Sequence, residues 1–335
     1  MLDDAALENM AANIRAGKRR ALAKAITLIE NQRPDRRRLA NRLVSRLMPY
    51  TGNAIRVGIS GVPGVGKSTF IETLGLALVE QGLKVGVLAV DPSSKISGGS
   101  ILGDKVRMEM LAREPRAFIR PSPSAGSLGG VARRTRETML LCEAAGFDVL
   151  LIETVGVGQS EVTVCEMVDF FLVLLLPNAG DEIQGIKKGI IEMADGLVIN
   201  KADGDMVTAA RQAKRHYQNA LHFLHPKNKG WQPKVVAASA AKKQGIDDVW
   251  KMVTDHRSFL EKSGLMQRLR SDQTELWFHS SLREDLLDRL YGSPKVSQRI
   301  TELRAEMLRR ETSPHQAAEE IVELFLGVSQ SVPTN

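Results

Sequence analysis

Gly61-Val62-Pro63-Gly64-Val65-Gly66-Lys67-Ser68-Thr69 decides how this chain is read, because it satisfies the spacing G-x-x-x-x-G-K-[ST] at every fixed position. Before it, Ala54-Ile55-Arg56-Val57-Gly58-Ile59-Ser60 is β-branched and reads as a strand. After it, Phe70 to Gln81 has helical spacing and no proline. Strand, glycine-rich turn and helix together make a phosphate cradle. The glycines let backbone N–H groups turn inward, and the helix start adds its partial positive charge. Lys67 then reaches the β- and γ-phosphates while the Ser68 hydroxyl ligates Mg²⁺. A chance glycine-rich turn is the alternative, and the flanking elements argue against it.

Working outward, apolar runs alternate with helical patterns. Strands are expected at Lys84 to Val90, Phe118 to Arg120, Asp148 to Ile152, Val168 to Leu176, Gly196 to Ile199 and Lys234 to Ala238. Runs apolar on both faces and joined by helices imply an α/β fold with a mainly parallel sheet, whose ligands lie at the carboxyl ends of the strands. The helix after the phosphate loop feeds almost directly into Lys84, so a parallel crossover is expected. That is unlike Ras-type GTPases, and resembles the P-loop class of signal-recognition and nitrogenase-iron proteins. Residues 1–50 read as a helical extension, 51–262 as the nucleotide domain and 263–335 as a leucine-bearing helical region. That last region packs either on its own domain or on a second copy.

The bulk numbers bound the rest. The 335 residues are 43% hydrophobic and 25% charged, as in ordinary globular proteins, and the 4% aromatic content argues against stacking on nucleic acid. The net charge of +7 is concentrated in arginines and lysines of the first fifty residues, read either as a site for an acidic partner or an anionic cofactor or as a solvated helix face. Cys142 and Cys165 are far apart, so no disulfide framework is expected. No run is long enough to cross a bilayer, and MLDDAALENM has neither a signal core nor a transit pattern. A cytoplasmic protein without membrane or nucleic-acid partners is the expectation.

Asn200-Lys201-Ala202-Asp203 closes an apolar strand and matches N-K-x-D. The Asp203 carboxylate suits guanine N1–H and the 2-amino group. Adenine offers neither donor and would leave a buried carboxylate unanswered. Lys201 packs along the base and Asn200 braces the loop. Ser239-Ala240-Ala241, at the next strand end, fits the loop whose backbone N–H meets guanine O6. Following a phosphate loop in this order, the two motifs indicate GTP or GDP rather than ATP.

Asp148-Val-Leu-Leu-Ile-Glu153-Thr-Val-Gly156 has the shape of D-x-x-G with Glu153 in the acidic place. Glu153 would hold Mg²⁺ through water and the Gly156 N–H would sense the γ-phosphate; a helix-capping glutamate is the plainer alternative. Asp91 is a further Mg²⁺ candidate, or an ordinary Asp-Pro turn. The candidate metal ligands are therefore Ser68, Asp91 and Glu153. Ser93 to Asp104 is polar and glycine-rich, which would put Asp104 near Mg²⁺ or the attacking water, and Asn178 to Lys188 reads as a second loop of this kind. Lys67, Asp91, Asp104 and Glu153 form the candidate catalytic set. No glutamine directly follows Gly156, so slow hydrolysis accelerated by a partner is expected.

With GVPGVGKST, DPSS, SGGSILGDK, ETVGVGQSE, LPNAGDEIQGIKKGI and NKAD in order, the chain resembles the MeaB/ArgK family over nearly its whole length. The resemblance implies a homodimeric GTPase that chaperones adenosylcobalamin-dependent methylmalonyl-CoA mutase, gates cofactor loading and is stimulated by the mutase. It also implies that residues 178–188 relay the nucleotide state. Three rivals stand beside it. A metal-delivery GTPase would carry Cys/His ligands, whereas these two cysteines are isolated and His222 and His225 read as a surface pair. A kinase of amino-acid transport would need an acceptor site and a base. A partitioning ATPase would carry a lysine where Val62 stands, and NKAD speaks for guanine.

Overall fold

Each expected apolar run forms a strand: β1 (Ile55–Gly61), β2 (Val85–Val90), β3 (Ala117–Arg120), β4 (Val149–Thr154), β5 (Phe170–Leu175), β6 (Gly196–Ile199) and β7 (Lys234–Ala237). They make one seven-stranded sheet in the order β3-β2-β4-β1-β5-β6-β7, and every described pairing is parallel. The computed structural model describes residues 4–31, 33–90, 108–120, 128–154, 160–177, 188–223, 227–228 and 230–327. The parallel relation of β1 and β2 is as expected, with β4 inserted between them and paired to both. Strands β2, β4, β5 and β6 are buried at every position, which is why they read as unbroken apolar runs rather than alternating ones.

The starting ends of the strands are tied by a repeated device. Asp148, Asp169 and Asp195 each stand just before an apolar strand. Their carboxylates accept the backbone N–H of Lys84 at 2.8 Å, of Arg56 at 2.9 Å and of Phe171 at 2.9 Å. Each therefore satisfies a donor of the neighbouring chain segment at the sheet's foot.

Three helices precede the sheet: α1 (Asp4–Arg15), α2 (Arg19–Glu30) and α3 (Pro34–Leu47), with Pro34 opening the third. Their buried stripes include Leu7, Ile14, Leu22, Ile26 and Leu43. Helices α2 and α3 lie against a later helix at Leu128–Ala144. Part of the early basic cluster is answered locally, since Arg42 and Arg46 both pair with Asp4.

The P-loop helix α4 (Lys67–Glu80) is followed by α5 (Glu109–Arg113), α6 (Leu128–Ala144), α7 (Ser160–Cys165), α8 (Lys188–Glu192), α9 (Val207–Leu221) and α10 (Ile246–Lys262). The short α7 lies against β1, β4 and β5. Gly58 permits this, because a Cβ there would meet Val164 Cγ1 at 2.8 Å and Phe171 Cδ2 at 3.0 Å. Both cysteines are buried and unbonded to each other.

The chain divides into two units, Met1–Gln273 and Thr274–Asn335. Helix α11 (Leu265–Tyr291) begins in the first. There Arg270 Nε lies 2.7 Å from Asp169 Oδ1, and its Nη2 donates to Asp169 Oδ2 at 2.7 Å. Asp169 and Glu143 are buried with Arg56, whose Nε and Nη2 donate to Glu143 at 2.7 and 2.9 Å. In the second unit α12 (Pro294–Leu308) and α13 (Pro314–Leu326) pack through Val296, Leu303, Ala317 and Ile321. That unit leaves Leu276, Phe278, Leu282, Leu286, Leu287 and Tyr291 exposed. No helix among the described residues is long and apolar enough to cross a membrane.

Candidate functional site

The site is built at the carboxyl ends of β1, β4, β6 and β7. Strand β1 ends at Gly61, and α4 begins six residues later at Lys67. The turn between them needs glycine at Gly66, whose φ of +93° lies in the left-handed region. Gly61 answers a close approach, since a Cβ there would stand 2.6 Å from the Leu174 carbonyl oxygen.

Lys67 Nζ donates to the Gly61 carbonyl at 2.8 Å and to that of Val62 at 3.4 Å, so the ammonium lies folded over the loop. Burial pushes its pKa down, and the carboxylates of Glu153 and Glu161 push the other way. The pairing of β1 with β4 puts Ile59 beside Glu153. Ser68 Oγ donates to Glu153 Oε1 at 3.3 Å, which brings together two oxygen donors of the kind a hard cation such as Mg²⁺ takes. Beneath them the buried Thr154 hydroxyl donates to Ser60 Oγ at 3.0 Å, locking β1 to β4.

The base-reading loops are fastened to the phosphate loop. Asn200 is buried; its Nδ2 donates to the Val65 carbonyl at 2.8 Å, and its Oδ1 accepts the Ala240 N–H at 3.3 Å. Lys201 takes a left-handed φ of +58° and reaches the Gly64 carbonyl at 2.8 Å. Ala202 N donates to the Ala238 carbonyl at 3.0 Å, and Asp203 follows half-buried at the loop's edge. Ser239 is buried, accepts the Lys242 N–H on its hydroxyl at 3.2 Å and exchanges backbone hydrogen bonds with Gln244 at 2.9 and 3.0 Å. The turn carrying Ala240 and Ala241 is thereby closed into a tight loop.

The structure thus gathers Gly61 to Thr69, Glu153, Asn200 to Asp203 and Ser239 to Ala241 around one end of the sheet. Asp91, Asp104 and Gly156 lie outside the described residues, as do residues 93–104 and 178–187 of the two loops. Two contributors escaped the reading of the sequence. Thr73 Oγ1 donates to the Ala240 carbonyl at 3.1 Å, tying α4 to the base loop. Glu161, near the start of α7, is only 1% exposed, and its negative charge favours the charged form of Lys67 against the effect of burial. Its burial is a property of the fold, and no local pattern marked it in the sequence. Among the described residues no group of three or more His, Cys, Asp and Glu side chains is placed to hold a metal.

Comparison with known proteins agrees with this geometry. The family model described as "Methylmalonyl Co-A mutase-associated GTPase MeaB" matches residues 22–295. The GTPase ArgK of Escherichia coli is 49% identical over 293 residues, covering 88% of each chain. The mitochondrial methylmalonic aciduria type A homolog of Mus musculus is 44% identical over 319 residues, covering 92% of this chain and 77% of that one. A solved structure described as an "LAO/AO transport system kinase" superposes with a TM-score of 0.75 at 40% identity, covering 97% of this chain and 99% of that one. With the phosphate and guanine motifs converging on one sheet end, and the family model spanning them, the chain belongs to the MeaB family of P-loop GTPases.

Proposed function

We propose that this GTPase binds Mg²⁺-GTP in the described cradle and serves as a chaperone of an adenosylcobalamin-dependent acyl-CoA mutase, methylmalonyl-CoA mutase above all. In this role it gates cofactor loading and protects the mutase from inactivation. The observation that carries the reading is the match of residues 22–295 to a model of mutase-associated GTPases. The name of the mouse relative, a methylmalonic aciduria homolog, supports it.

The chain's own residues supply positioning. Asp203 accepts guanine N1–H and the 2-amino group, while Asn200 holds that loop against Val65. Lys67 exchanges the Gly61 and Val62 carbonyls for β- and γ-phosphate oxygens. Ser68 and Glu153 would hold Mg²⁺, with Asp91 in support. The ion supplies charge neutralisation on the phosphate oxygens. The chain works as a homodimer, a reading supported by the exposed apolar side chains of its second unit.

Pull-down from the source lysate with a non-hydrolysable GTP analogue, followed by GTPase assays with and without the recovered protein, tests the proposal. It expects an acyl-CoA mutase that accelerates a slow basal turnover. Fast turnover alone with no mutase recovered overturns it. A second reading, phosphoryl transfer to an amino-acid transport protein, takes its support from the similar solved structure described as a transport system kinase. Radiolabel from the γ-phosphate appearing on protein, not as free phosphate, would favour that reading.

A further inference from the structure

Thr73 stands outside every nucleotide motif, in the second turn of the P-loop helix α4. Its Oγ1 donates to the Ala240 carbonyl at 3.1 Å and lies 2.9 Å from the Thr69 carbonyl, one turn back in α4. The Ala240 carbonyl also accepts the Lys243 N–H at 3.2 Å. That second bond closes the turn on itself and ties it to nothing else, so it is Thr73 that fastens this carbonyl to α4. On the other side, the Ala240 N–H goes to Asn200 Oδ1 at 3.3 Å, and Asn200 Nδ2 is held on the Val65 carbonyl at 2.8 Å. Ala240 is therefore pinned through both of its backbone groups, to the phosphate loop by way of Asn200 and to the phosphate helix by way of Thr73.

The peptide joining Ala240 to Ala241 is trans, and a planar trans peptide points its C=O and N–H in opposite directions. Holding the Ala240 carbonyl toward α4 thus turns the Ala241 N–H away from α4. No acceptor among the described residues takes that N–H, and Ala241 is exposed while Ala240 is buried. The span from O6 to the phosphates is limited by a nucleotide's own bonds. A donor for O6 must therefore be registered against the helix that begins at the phosphates.

We propose that Thr73 is a positioning residue for guanine recognition: by holding the Ala240 carbonyl on α4, it aims the Ala241 N–H at O6 of the base. The proposal rests on the reading of this cradle as a guanine-nucleotide site.

Calorimetric titration of GDP, 6-thio-GDP and IDP into wild-type, Thr73→Val and Thr73→Ser protein tests it. The thio analogue puts a poorer acceptor at position 6, and IDP lacks only the 2-amino group that Asp203 reads. In Thr73→Val the preference for GDP over 6-thio-GDP shrinks by about fivefold, the size of one neutral hydrogen bond, while the preference for GDP over IDP stays at the wild-type value. Thr73→Ser keeps the hydroxyl and restores the first preference. A purely structural role would weaken all three ligands together and leave both preferences alone, which overturns the proposal. So does a serine variant that behaves like valine, or a loss of both preferences at once. Should valine lower the melting temperature, Thr73→Ala serves as the variant without a hydroxyl. Absence of guanine-nucleotide binding by wild type would instead bring down the site reading and this proposal with it.

Discussion

At the scale of single residues, Asp203 carries the sharpest consequence. A carboxylate that reads two donors on guanine rejects a base lacking them by large factors, because it would be buried unanswered. Asp203→Asn is expected to lose GTP affinity by about 10²-fold or more and to gain xanthosine triphosphate, read by competition binding. An unchanged guanine preference removes Asp203 from the base site. Residues of this kind were legible in the sequence because phosphate and guanine chemistry demands fixed types at fixed spacing, as at Lys67, Asn200 and Asp203. Thr73 and Glu161 were not. Thr73 matters only because α4 runs beside the loop at Ala240, and Glu161 only because α7 lies across Gly58. Neither approach leaves a local pattern.

Among the elements, the strands were legible for a related reason. Burial on both faces leaves no polar position to interrupt the run, and the expected bounds fall within a residue or two of those found for β4, β5 and β7. The slot that β4 occupies between β1 and β2 was not, because strand order is a property of the assembled sheet. Gly58 shows how closely element packs on element. Gly58→Ala should cost about 1–3 kcal/mol in urea denaturation by forcing α7 outward. A second element-level prediction concerns α10. His256 is buried edge-on to the Phe170 and Trp231 rings, at centroid distances of 5.2 and 4.8 Å. Burial pushes its pKa down, opposed by the Asp195 and Asp169 carboxylates and aided by Lys227. The folded protein thus resists a proton that the unfolded chain accepts below about pH 6.5. The stability His256 contributes is present above that pH and is lost as pH falls toward its depressed folded value. Melting temperature should therefore drop between about pH 7.5 and 5.5, and His256→Gln should narrow the drop.

For the whole molecule, two features bear on assembly. Arg270 meets the buried Asp169 at the sheet's foot, beside Glu143 and Arg56. Removing one member of a buried ionic group strands the others, so Arg270→Ala should cost about 3 kcal/mol of the first unit's stability by urea denaturation. The second unit's exposed leucines give the dimer reading its test. Leu282→Glu with Leu286→Glu should turn a dimer into a monomer in sedimentation equilibrium. A wild-type chain that is already monomeric would refute it. The aspartates at the strand starts have one more consequence. They fasten the sheet at the rim opposite the phosphate loop, so a ligand held in that loop would have no lever on them. The amides of Lys84, Arg56 and Phe171 should accordingly exchange with deuterium very slowly, and at the same rate whether the cradle is empty, holds GDP or holds GTP.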